Sequence, residues 1–68
     1  MNAPIHKLTR LFTSSDGKEV LTYLKSLTQE RILPPTASDS ELRFLEGQRF
    51  LVHTIETLVR QGKEQPQI

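Results

Sequence analysis

The sequence predicts an all-α fold: a helical hairpin formed by residues 17–31 and 39–61, preceded by a short amphipathic helical arm. Three observations carry this expectation. Apolar residues recur at spacings of three and four in three separate segments; Asp16 with Glu19 and Ser38 with Glu41 have the spacing that opens a helix; and Pro34-Pro35 interrupts the pattern between the two longer segments. No segment calls for a strand.

The arm covers residues 1–12. Ile5, Leu8, Leu11 and Phe12 stand at spacings of three, three and one, so a helix gathers all four on one side. Thr13-Ser14-Ser15-Asp16-Gly17 then supplies turn chemistry, because short polar side chains compete for backbone groups and glycine lifts the steric limit on φ. The same cluster starts the second helix, with Asp16 and Glu19 as its capping box. Val20, Leu21, Tyr23, Leu24 and Leu27 fall within roughly 160° of the helical wheel, a face expected to be buried, while Lys18, Lys25 and Gln29 point away. Pro34 ends the helix near residues 31–33, since a residue before proline is pushed out of the α region, and Ile32 and Leu33 are expected to fold over the connection and close the core.

A second capping box, Ser38 with Glu41, opens the long helix. Gly62 is expected to end it as a left-handed C-cap residue, with Arg60 complementing the helix dipole. Its apolar stripe, Phe44, Leu45, Leu51, Val52, Ile55, Leu58 and Val59, spans roughly 140°, wider than one partner helix needs, and its length of about 34 Å exceeds the ~22 Å of the second helix. A second contact is implied. Residues 13–62 are thus read as a hairpin domain and residues 63–68 as a polar, disordered tail.

Composition narrows the function. Sixty-eight residues with 35% hydrophobic side chains, no cysteine and no tryptophan make one small domain, with neither a disulfide framework nor a thiolate metal site. The net charge is +1, and residues 1–34 carry five basic and three acidic side chains against four and five in residues 35–68. No field of one sign gathers nucleic acid or an anionic membrane. Apolar runs of two or three residues cannot span a bilayer, and Met1-Asn2-Ala3-Pro4 lacks a signal peptide's apolar region, so a soluble, intracellular chain is expected. A core this small rarely supplies more than ~3 to 5 kcal/mol, which favours folding on or with a partner.

No catalytic, cofactor or metal site is expected. His6 and His53 have no second His or Cys at ligand spacing; Glu46 and Glu56 flank His53 on a polar, solvated face; Ser14 and Ser15 are explained by turn and cap chemistry; and glycines at 17, 47 and 62 are too scattered for a phosphate loop. Candidate partner-binding residues are instead Ile5, Leu8, Leu11 and Phe12 on the arm, with Leu42, Gly47, Gln48, Arg49 and Phe50 on the long helix.

Each of these has two readings. The arm packs back on the hairpin or clips onto a partner. Gly47 costs about 1 kcal/mol in mid-helix relative to alanine, so either a bulky neighbour such as Tyr23 or a partner subunit comes close to it. The Gln48 amide is satisfied by the hairpin's own backbone, or it bonds another chain and fixes register. Leu42 and Phe50 lie on the polar face as isolated apolar residues, under the arm, or as interface anchors. Arg43, Arg49 and Arg60 could meet phosphates, but Glu46 and Glu56 stand at intrahelical pairing distance.

The run Phe12-Thr13-Ser14-Ser15-Asp16-Gly17-Lys18-Glu19-Val20-Leu21 with Tyr23-Leu24, a proline-bearing link, then Glu46-Gly47-Gln48-Arg49 and Phe50-Leu51-Val52 with Ile55, resembles the Bbp19-like family of small tailed-bacteriophage structural proteins. The similarity covers about residues 11–58. It implies a non-enzymatic virion protein, made in the host cytoplasm and encoded among head and tail genes. Such a protein would dock on portal, tail or ejection components and self-associate, without a membrane or nucleic acid. The resemblance marks Asp16, Gly17, Gly47, Gln48 and Arg49 as family-typical and gives none a catalytic task. An alternative of another class is a small phage regulator that binds and inhibits a host protein. A helix-turn-helix DNA binder is disfavoured by the near-neutral charge and by a link longer than the usual turn.

Overall fold

The computed structural model describes residues 2–64, which form three α-helices: α1 (Ile5–Thr13), α2 (Ser15–Leu27) and α3 (Asp39–Glu64). Among the described residues there is no strand. Lys63 and Glu64 continue α3, and the remainder of the tail expected over residues 63–68 lies outside the described residues.

One residue separates α1 from α2. Ser14 is extended (φ −67°, ψ 160°), and its hydroxyl serves both helices: it donates to the Leu11 carbonyl at 2.6 Å and accepts from the Gly17 N–H at 3.0 Å. Ser14 is therefore the N-cap, in place of the expected Asp16–Glu19 box. Asp16 falls inside the first turn, where its carboxylate complements the positive end of the helix. The elbow is so tight that Gly17 is buried against α1: a Cβ there would overlap the Leu11 carbonyl oxygen and lie 2.7 Å from its carbon and 2.8 Å from Phe12 Cα.

This contact sets the rotation of α2. Counting inward from Gly17 by turns gives Leu21, Leu24 and Thr28, which are half-buried or buried, with Lys25 and Gln29 half-buried beside them. Lys25 and Gln29, expected to point away, instead reach Glu56 of α3 at 3.4 Å and 2.8 Å. The expected buried face is thus turned by roughly a quarter of the wheel. Val20, Tyr23 and Leu27 are left exposed, Tyr23 at 62%.

α2 also stops at Leu27, short of residue 31. The Thr28 hydroxyl turns back to the Leu24 carbonyl (2.8 Å), the Thr28 N–H bonds Lys25 O (3.2 Å), and the Thr28 carbonyl accepts from Arg49 Nε (2.9 Å) and from the Arg31 N–H of the following turn (3.3 Å) instead of continuing the helix. Leu33 is half-buried, but Ile32 is 90% exposed and closes nothing.

α3 begins as expected, with the Ser38 hydroxyl accepting from the Glu41 N–H at 3.1 Å. Its buried apolar residues are Leu45, Val52 and Val59, seven residues apart. Gly62 does not cap it: no described glycine has positive φ, and the helix runs through to Glu64. Gly62 is a crossing point instead, since a Cβ there would overlap the Thr9 hydroxyl and sit 3.0 Å from Ile5 Cγ2. The Thr9 hydroxyl itself donates to Ile5 O (2.7 Å) and lies 3.4 Å from Val59 O. The arm therefore packs on the C-terminal half of α3 as well as on α2. With nine residues it is about 14 Å long, and α3, with 26, is about 39 Å, so α1 cannot reach the N-terminal half.

Candidate functional site

What α1 leaves uncovered on α3 is the feature with functional content. The helix stripe splits lengthwise: Leu45 is 2% exposed and Val52 is buried, whereas their sequence neighbours Phe44 and Leu51 are 69% and 62% exposed. Phe50, on the outward side, is 72% exposed, and Leu42 is exposed as well, so the arm does not cover them. Gly47 lies between these side chains with nothing within 4 Å of its Cβ position. The expectation that Tyr23 packs against it within the chain is corrected, because the rotation of α2 carries Tyr23 to the surface.

Exposed Val20, Tyr23 and Leu27 form a second apolar strip along α2, and Ile32 projects from the connection. A shallow groove between the connection and the start of α3 is lined by Arg31, Leu33, Glu41, Phe44 and Leu45. On the arm, Ile5, Leu8 and Phe12 are half-buried and Leu11 is exposed. The structure thus separates the partner-binding candidates into two groups. Leu42, Gly47 and Phe50 lie open on α3, while Ile5, Leu8 and Phe12 lie partly within the three-helix core.

Val20, Tyr23 and Leu27 were expected to be buried and are exposed, whereas Phe44 and Leu51 belong to the wide stripe that was expected to need a second contact beyond the second helix. The available signal was the combined width of the two apolar stripes, which exceeds what two short helices can cover on a long one.

Arg49 has a structural task. Its Nε donates to the Thr28 carbonyl at 2.9 Å, its Nη2 to the Arg31 carbonyl at 2.5 Å and its Nη1 to Glu46 Oε1 at 3.2 Å. The planar guanidinium thereby staples the end of α2 to α3, using the fork geometry that lysine lacks. Gln48 beside it is half-buried, and among the described residues no backbone group of the chain bonds its amide. We expect Arg49→Ala to cost about 2 kcal/mol, a value lowered by the partial exposure of the side chain. The readouts are a lower urea midpoint and faster amide exchange over residues 28–31. Arg49→Lys should recover less than half, because one ammonium cannot serve two carbonyls in that geometry.

Glu46 is engaged by Arg49 and Glu56 by Lys25 and Gln29, while His6 and His53 are separately exposed. Among the described residues no group of three or more His, Cys, Asp or Glu could hold a metal ion, and no helix is long and apolar enough to cross a membrane. A family model described as Bbp19-like phage protein matches residues 8–66. No curated protein and no solved structure matches the chain.

Proposed function

We propose that this chain, which belongs to the Bbp19-like phage protein family, is a non-enzymatic structural component of the virion. Its uncovered apolar helix faces dock on larger portal, tail or ejection proteins, and copies of the chain associate with one another. The observation that carries this reading is the surface left after folding. Val20, Tyr23, Leu27, Phe44, Phe50 and Leu51 stay exposed on well-formed helices, although among the described residues the buried apolar side chains are Leu45, Val52 and Val59. Large exposed apolar patches on a folded domain mark interaction surfaces, and Tyr and Phe are among the residues enriched in them. A net charge of +1 adds no electrostatic attraction for nucleic acid.

The test is quantitative mass spectrometry of purified virions, with peptides of this chain referenced to the portal protein. A fixed ratio that is a simple multiple or fraction of the portal copy number is expected. Absence from particles, with the chain present in infected cells, would overturn the structural role and favour a regulator directed at a host protein.

A further inference from the structure

Glycine in mid-helix lowers helix propensity relative to alanine, and among the described residues nothing comes within 4 Å of the Gly47 Cβ position to repay that. Its surroundings have a symmetry of their own. Phe44 and Phe50 stand three residues before and three after it, and with Leu51 they fall within an arc of roughly 120° around Gly47, directed away from Leu45, Val52 and Val59. We infer that this face pairs with the same face of a second copy, α3 against α3 in antiparallel register, about a two-fold axis at Gly47. The inference rests on the reading above that the uncovered helix faces are docking faces, and it names the occupant of one of them.

Three features of this face select a second copy. A two-fold operation about Gly47 brings Phe44 of each chain level with Phe50 of the other, sets glycine on glycine so that the helix axes can come close, and places Arg43, the one charged residue in the arc, opposite Leu51. The patch is therefore self-complementary, as an isologous interface requires. It also contains no carboxylate to be buried unpaired.

The exposed area fits as well. The chain exposes 5577 Å², against roughly 4,400 Å² for a compact monomer of its mass. The surplus of about 1,200 Å², to which the α2 strip and Ile32 contribute along with this face, is large enough to include the ~800 Å² that each partner buries in a standard interface. Shape agrees with area, because the radius of gyration is 14.3 Å where a compact chain of this length has about 11 Å.

Sedimentation equilibrium of the full chain is expected to give twice 7.8 kDa. Gly47→Leu should keep its helicity by circular dichroism, because the space around it is open within the chain, and should raise the dimer Kd roughly ten- to hundredfold. Since the chain has no cysteine, introduced ones report register. Gly47→Cys should form a disulfide-linked dimer on mild oxidation, Ser40→Cys alone should not, and Ser40→Cys combined with Thr54→Cys should. A mass of 7.8 kDa at all concentrations, a Gly47→Leu variant as dimeric as the parent, or ready cross-linking through Ser40→Cys alone would each overturn the pairing. A monomer still found in virions overturns the pairing and leaves the structural role, handing this face to a helix of a larger phage protein. A dimer absent from virions does the reverse.

Discussion

Replacing Gly17 with alanine is expected to lower the melting temperature by about 10 °C, or about 2 kcal/mol for a chain of this size. Alanine is the better helix former by about 1 kcal/mol, so propensity alone predicts the opposite sign. The elbow decides. A methyl group at residue 17 would overlap the Leu11 carbonyl oxygen and press within 2.8 Å of Phe12 Cα, and backbone cannot move aside as a long side chain can. Overpacking of this kind typically costs about 1 to 3 kcal/mol, occasionally more. Relief requires opening the angle at Ser14, which breaks its paired bonds to Leu11 and Gly17 and releases α1 from α3. Amides of residues 5–13 should then lose exchange protection before those of α3. Gly47→Ala is the matched control: with nothing within 4 Å it should gain up to about 1 kcal/mol when measured on the monomer. If Gly17→Ala stabilised the chain as Gly47→Ala does, the one-residue elbow would be wrong.

The same glycine explains why part of the fold was legible in the sequence and part was not. Short-range chemistry was readable. The arm's spacing and the Ser38 cap depend on neighbours within four residues and appear where expected, and the break expected over residues 13–17 is present but narrowed to Ser14, while the proline-bearing link begins at residue 28, earlier than expected. The rotation of α2 depends on a tertiary contact between Gly17 and the α1 backbone, which apolar periodicity cannot register, so the wheel placed the buried face a quarter turn away. Gly62 misled for a related reason. A glycine near a helix end usually signals a left-handed cap, and only packing against Thr9 and Ile5 distinguishes a crossing point from a cap.

Arg49 was partly legible. Its pairing with Glu46 follows from a spacing of three, whereas its bonds to the carbonyls of Thr28 and Arg31 join segments about twenty residues apart. The docking candidates on α3 were visible where they interrupted a polar face, as Leu42 and Phe50 do. Phe44 and Leu51 were not, because exposed and buried members of a wide stripe look alike until the covering helix is known to be nine residues long.

That ambiguity within the stripe gives the second large effect, expected from Leu45→Ala set beside Phe44→Ala. Leu45 is 2% exposed and, among the described residues, shares the buried apolar core with Val52 and Val59. Truncation removes its transfer free energy and leaves a cavity, a loss of about 2 to 5 kcal/mol. A single core in a chain this short rarely supplies more than ~3 to 5 kcal/mol in total, so Leu45→Ala should be largely unfolded at 25 °C by circular dichroism. Phe44→Ala deletes the larger side chain one residue away, yet at 69% exposure it should change the monomer's stability by no more than about 0.5 kcal/mol. Its effect should fall on association, because Phe44 stands opposite Phe50 of the second copy in the proposed pairing. Urea titrations at concentrations low enough to keep the chain monomeric separate the two losses, since stability of the single chain is then the only quantity read. The pair of variants therefore tests which flank of α3 is core and which is docking surface. Equal destabilisation by both would mean that the monomer buries the whole stripe, and with it would go the apolar surface on which the proposed function stands.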